Sequence, residues 1–282
     1  MRPARSAARA AAAQLRRAGD RERLAGAVEN LAHALMMRGD WDGAETELNQ
    51  AADADGLAGF GLLVCYRAWL AALRGDVPAA QTALAGLGDL RATEDPQDQT
   101  LIAVAEAFTA AALGQPATAL GHARTALGRA DALGIGHEYL RWAWPLAARA
   151  AHDLADTAAT SELLALLDGY RPGQLAPMQR AERDLVRVRL APADAGPDTA
   201  GAAWMAAIAG LRQHSTPYHL AHGLLDHAAH LAALNPGRGE VEATAAAAAA
   251  SEAAGIAARL GCQPLADRAE ATRPARSRTA AS

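Results

Sequence analysis

The fold is decided by residues 32–51, AHALMMRGDWDGAETELNQA. Gly39-Asp40-Trp41-Asp42 interrupts two segments rich in alanine and leucine, with Ala44, Leu48 and Ala51 following at helical spacing. A small residue, Ala32, stands seven positions before the glycine. The arrangement returns at Gly75-Asp76-Val77-Pro78 with Ala80, Leu84 and Leu87, 36 residues on, and at Gly114-Gln115-Pro116 with Ala119, Ala123 and Ala126, a further 39. A weaker copy, Leu154-Ala155-Asp156 with Ala159, Leu163 and Leu166, lies a further 40 residues along. Ala68, Ala107 and Ala147 repeat the position of Ala32. The physical unit is a helix, a tight turn that needs Gly or Asp, and a second helix packed back on the first through small residues. One such hairpin cannot bury its apolar face, so neighbours must stack.

Composition agrees with close helix packing. Of 282 residues 79 are alanine, the best helix former, while aromatic residues make up only 4%. No β-branched alternation occurs anywhere, so the expected fold is all-α. All 27 basic residues are arginine, which excludes a phosphate-loop GK[ST], a lysine Schiff base and a kinase-type strand lysine. The net charge of −4 gives no sign of nucleic-acid binding, and a nucleic-acid partner is not expected. Cys65 and Cys262 are too few for a disulfide framework, and no window holds 18 strongly apolar residues. A reduced, cytoplasmic chain without a membrane span is expected.

The hairpins resemble the tetratricopeptide repeat family, which places small residues on both helices and Gly at the turn. The resemblance implies a superhelical stack of antiparallel helix pairs, a tetratricopeptide-like α-solenoid of about twelve to thirteen helices. Four copies cover 24–170, after an N-terminal helix in 1–23. The pattern departs from the family at the closing proline and at the fourth turn, where Leu154 takes the glycine place. Two divergent hairpins follow in 171–262. The first joins Pro177–Leu190 to Thr199–Arg212 through APADAGPD; in the second, a helix capped by Ser215 or Thr216 starts at Pro217, and another covers about 240–260 before Gly261 stops it. A short helix and a disordered basic tail are expected in 263–282.

Residues 203–234, AWMAAIAGLRQHSTPYHLAHGLLDHAAHLAAL, and 252–269, EAAGIAARLGCQPLADRA, carry a second resemblance. They are similar to the last repeats of large actinobacterial signalling proteins that join a STAND or AAA-type ATP-binding module to tetratricopeptide-like helices. These include multidomain adenylate/guanylate cyclases and LuxR-type regulators. In that family these helices contribute no catalytic residue, so the resemblance implies a sensor and scaffold arm without the ATP-driven engine. The expected function is a non-catalytic protein-interaction module with a protein or peptide partner, for which the resemblance suggests an ATP-binding signalling protein, and no cofactor. One alternative is the C-terminal remnant of such a cyclase or regulator. Another is a peptide or small-molecule sensor.

Two residue sets are candidate sites. In tetratricopeptide-like stacks the first helix of each pair lines a concave groove, which here implies Glu29, His33, Met36, Cys65, Trp69, Val104, Phe108, Arg141 and Trp144. Trp69, Phe108 and Trp144 would form an aromatic path for an extended segment, with Arg141 for a carboxylate; the alternative is that these rings fill the core. His219, His222, Asp226 and His230 are spaced 3, 4 and 4 on one helix face, as a zinc or nickel site requires, or else form a polar face. Trp41 and Trp142 are read as packing residues.

Overall fold

The computed structural model describes residues 2–53, 56–57, 60–191, 197–233 and 240–272. Among them are fifteen α-helices and no strand, so the all-α expectation holds. The chain divides into two compact units, Met1–Gln174 and Leu175–Ser282. The first holds α1 (Arg2–Ala18), α2 (Arg21–Arg38), α3 (Trp41–Asp53), α4 (Gly61–Arg74), α5 (Val77–Ala85), α6 (Pro96–Ala112), α7 (Pro116–Leu127), α8 (Ala130–Leu133), α9 (Leu140–Asp153) and α10 (Thr157–Asp168). The second holds α11 (Pro177–Arg189), α12 (Pro197–His214), α13 (Pro217–Ala233), α14 (Glu240–Leu260) and α15 (Gln263–Thr272). The count exceeds twelve to thirteen through the single-turn α8 and through α15, the short helix expected after residue 262. The basic tail from Arg273 lies outside the described residues, and so does Asn235-Pro236-Gly237, where the sequence places the end of the helix that starts at Pro217.

One backbone device makes most of the tight junctions. At Gly19, Gly39, Gly75, Gly114, Ala155 and Gly261 the chain is left-handed, with φ of 70, 76, 88, 70, 53 and 60°. In each case that residue's N–H donates to the carbonyl three back, and the next N–H to the carbonyl five back, as Asp40 N does to Leu35 O at 2.9 Å and Asp156 N to Ala151 O at 2.9 Å. These bonds satisfy carbonyls that the ending helix leaves unpaired. At four junctions the following aspartate then caps the next helix: Asp20, Asp40, Asp76 and Asp156 accept from the backbone N–H of Arg23, Gly43, Ala79 and Ala159 at 2.8–3.1 Å.

The fourth turn therefore needs a correction by one residue. Leu154 is right-handed helical, with φ −83° and ψ −5°, and Ala155 occupies the glycine place. Counting from the capping aspartate then puts Thr160, which is buried, where Ala44 and Ala80 stand in earlier copies. Ala155 is the only non-glycine with positive φ among the described residues. A Gly19-Asp20 junction, not among the expected copies, ends the N-terminal helix at Ala18, short of residue 23, and α1 packs on α2 through the same device.

In the first unit α2, α4, α6 and α9 each touch the next, forming one continuous row. Each also touches its following partner, α3, α5, α7 and α10 respectively. The recurring alanines sit at these contacts: Ala32, Ala44, Ala68, Ala80, Ala107, Ala119 and Ala147 are all fully buried. With only a methyl group at each place, helix axes can approach closely without leaving voids. Ion pairs Arg9–Glu47 at 2.8 Å, whose carboxylate is buried, and Arg124–Glu162 at 2.6 Å tie residues 38 apart; the second is exposed, and such pairs contribute only about 0–1 kcal/mol.

In the second unit α11 packs on α12, α12 on α13, and α13 on both α14 and α15. Gly223 on α13 is a point of close approach, since a Cβ there would overlap Leu211 of α12. No helix among the described residues is long and apolar enough to cross a membrane.

The left-handed alanine is a test of the junction's energetics. Ala155→Gly is expected to raise unfolding stability by about 0.5–1 kcal/mol, because the relief of left-handed strain exceeds the added backbone entropy of the unfolded chain. Gly39→Ala is expected to lower it by about 1 kcal/mol. Urea denaturation of the two variants reads both signs, and equal effects at both positions would contradict the shared-junction account.

Candidate functional site

The row α2, α4, α6 and α9 carries the chemistry-bearing residues of the first unit. Glu29 and His33 lie one turn apart on α2, and Cys65, Tyr66 and Trp69 share a stripe of α4. Phe108 comes from α6, Tyr139 precedes α9, and Trp142 lies in its first turn. Trp69 is central. Its ring stacks on Phe108 at 5.5 Å and on Tyr66 at 5.9 Å, and meets Trp142 edge-on at 5.0 Å. Trp142 Nε1 contacts Met37 Sδ at 3.1 Å.

This arrangement changes the expected aromatic path in two ways. Trp142, read from sequence as a packing residue, meets Trp69 and Phe108, while Trp144 turns elsewhere and donates to Leu163 O of α10 at 2.9 Å. The rings are also interior: Trp69 and Trp144 are 0% exposed and Phe108 3%, and Met36, Cys65 and Val104 are buried with them. The open aromatic groove implied by the family register is thus absent at these residues, and core filling describes their state. In a chain this poor in aromatics, the few large rings occupy space that alanines leave unfilled. Trp41 is a packing residue as expected, its Nε1 donating to Met36 O at 3.2 Å.

Polar groups gather at one edge of the cluster. Tyr66 OH lies 3.4 Å from both His33 Nδ1 and Tyr139 OH, and His33 Nε2 lies 3.7 Å from Glu138 Oε2. Burial, with the nearby Arg141 guanidinium, pulls His33 down to about 4, so the imidazole is neutral at pH 7. Burial and then the Asp98 carboxylate push Glu29 up to about 7. Glu138 is raised by burial against the opposing pull of Arg141. Arg141 Nε donates to Gly136 O at 2.7 Å, holding the chain before α9. Glu29, Asp98, Glu138 and Arg141 are all partly exposed and form the solvent edge.

This edge can bind charged groups, but it holds no activated nucleophile. Burial, followed by Glu106 and other carboxylates, pushes the Cys65 thiol up to about 12, the opposite of a reactive cysteine. Tyr66 and Tyr139 are likewise raised, by burial first. Sequence reasoning placed Glu29, His33 and Arg141 here but missed Tyr66, Asp98, Glu138 and Tyr139. Tyr66 adjoins Cys65 in sequence, yet only the stacking of helices shows that it points inward.

In the second unit the metal set is dispersed. His219 Nδ1 lies 2.7 Å from Thr216 Oγ1, and that same hydroxyl accepts from His219 N at 3.2 Å, capping α13. His222 Nδ1 lies 2.9 Å from Arg268 Nη1. Asp226 pairs with Arg268 Nη2 and, at 3.6 Å, with Arg189 Nη1. His230 stacks on the Trp204 ring at 5.1 Å. The four residues share a face, as their spacing requires, but they are engaged elsewhere: His219 with Thr216 at the start of its own helix, His222 and Asp226 with Arg268 of α15, and His230 with Trp204 of α12. No group of three or more His, Cys, Asp or Glu able to hold a metal occurs among the described residues. A buried ion cluster joins α13 to α11 and α15 instead, and its arginines lie too far along the chain to be read from the local pattern.

Two substitutions test these assignments. Trp69→Ala is expected to cost about 3–5 kcal/mol in chemical denaturation, as for a fully buried ring. A cost below about 1 kcal/mol would return Trp69 to the surface groove. Glu29 binds a proton more tightly in the folded chain, so its ionisation subtracts stability as pH rises from 4.5 through about 7. Glu29→Gln is therefore expected to stabilise the chain at pH 8 by about 2 kcal/mol, after allowance for partial solvent screening. The gain fades below pH 4.5; a pH-independent effect would contradict the assignment. No family model, curated protein or solved structure matches the chain, so its functional reading rests on the residues and their geometry.

Proposed function

We propose that the chain is a non-catalytic, tetratricopeptide-like interaction module whose helix pairs stack as an α-solenoid in the cytoplasm and bind a protein segment along α2, α4, α6 and α9. The reading extends to regulation of an ATP-binding signalling partner or parent, in keeping with the resemblance of 203–234 and 252–269. A remnant of a nucleotide cyclase or LuxR-type regulator is the form this takes if the parent is a single protein. The observation that carries the interaction reading is the continuous row of four helices with a charged, partly exposed edge.

That edge favours a basic segment. Glu29, Asp98 and Glu138 outnumber the one nearby arginine, Arg141, and Glu29 has no ion-pair partner among the described residues. A partner arginine or lysine would satisfy carboxylates whose ionised forms burial disfavours.

The test is crosslinking mass spectrometry in the source cells with wild type and the double variant Asp98→Arg/Glu138→Arg. A partner crosslinked to the first unit, with affinity in purified form at least about tenfold weaker for a normally folded variant, is expected. A partner that contacts only the second unit, or that binds the variant as tightly as wild type, overturns the proposal.

A further inference from the structure

A different stripe of α4 faces a cleft that the aromatic cluster does not use. Arg67, Leu70, Ala71 and Arg74, at helical spacing, line it together with residues of α3 and α5, enclosing about 450 Å³. This volume lies within the range of small-molecule sites. Its apolar surface comes from Leu48, Val64, Leu70, Ala71 and Ala83, and its polar groups include Asn49 and Thr82 as well as the two arginines.

Charge pairing decides what the cleft lacks. Two acids line it, but both are engaged. Asp76 caps α5 by accepting from Ala79 N at 3.1 Å, and Glu45 lies 3.6 Å from Arg74 Nη1. Arg74 Nη2 also donates to Asp42 Oδ1 at 2.5 Å. The donors are less well served. Arg74 Nε is buried and meets no acceptor among the described residues, and Arg67, which is exposed, has neither a carboxylate nor a hydrogen-bond acceptor among them. Asn49 and Thr82 make no side-chain hydrogen bond among the described residues. The uncommitted Arg67 guanidinium and the buried Arg74 Nε favour an anionic acceptor, while the apolar wall suits a hydrocarbon body that a bare inorganic ion would not supply.

We propose that this cleft binds a small amphipathic carboxylate, its head on the fork of Arg67 and its apolar body against Leu48, Leu70 and Ala83. Arginine presents parallel N–H donors that match a carboxylate. Asn49 and Thr82 add directional hydrogen bonds beside that head. The site uses none of the edge residues assigned to the protein partner, so the two readings stand or fall separately.

Calorimetric titration of the full chain with octanoate and with phenylpropionate tests the site, with acetate, octanol and octylamine as comparisons. Saturable one-to-one binding of at least one of the two acids is expected, with acetate, octanol and octylamine each much weaker. Arg67→Ala, at an exposed position and verified as folded by its thermal transition, should weaken binding by about tenfold or more, as expected for loss of a charge-assisted pair. Arg67→Lys should retain part of it, and Asp98→Arg/Glu138→Arg should leave it unchanged. Failure of both acids to saturate overturns the proposal. So does undiminished binding by Arg67→Ala, or an octanol affinity equal to that of octanoate.

Discussion

The structure depends on a two-residue junction in which a left-handed position ends one helix and the next residue starts another. The left-handed residue turns the chain so that two backbone N–H groups reach back to carbonyls of the ending helix. An aspartate in the following position then satisfies a donor of the helix that begins. With both helix ends satisfied within a few residues, the two helices are held against each other without a long connection. Repetition of the left-handed turn at Gly19, Gly39, Gly75, Gly114 and Ala155, with a capping aspartate after all but Gly114, sets the spacing of the first unit.

Alanine makes that spacing usable. Methyl groups at the recurring buried positions allow backbones to approach, but they fill little volume, so the large side chains must be concentrated where the helices leave room. Trp69, Phe108, Trp142, Tyr66 and Tyr139 meet in one such place, drawn from α4, α6, α9 and the residue that precedes α9. Enclosing His33 and Glu29 at the margin of these rings moves their proton affinities in opposite directions, because burial disfavours the charged form of each. Hydrophobic packing thus sets the electrostatics of the edge at which a partner is proposed to dock.

The two faces of α4 show how one helix serves separate purposes. Cys65, Tyr66 and Trp69 are committed to the interior, whereas Arg67, Leu70, Ala71 and Arg74 line a cleft with unmatched donors. In the second unit Asp226 has the opposite fate. Two arginines from elements distant in sequence meet it in the interior, and its carboxylate serves to hold helices together rather than to coordinate a ligand. Removing one member of such a buried cluster leaves uncompensated charge, which is why these groups belong to architecture.

The all-helical fold and most hairpin positions were legible in local patterns, because helix periodicity, alanine content and glycine turns act over only a few residues. The fourth junction was misplaced by one residue because Ala155 adopts a conformation that alanine ordinarily avoids, so no glycine marked it. The site divided along the same line. The groove register implied by the family resemblance put Glu29, His33 and Arg141 on one surface, and spacing set four polar residues on one face of α13. Only tertiary packing decided that Trp142 rather than Trp144 joins the aromatic cluster, that Arg268 and Arg189 take Asp226, and that unpaired donors remain in the cleft beside α4. Helix propensity is a property of neighbours in sequence; side-chain partnership depends on distance in space, which the stacking of helices sets.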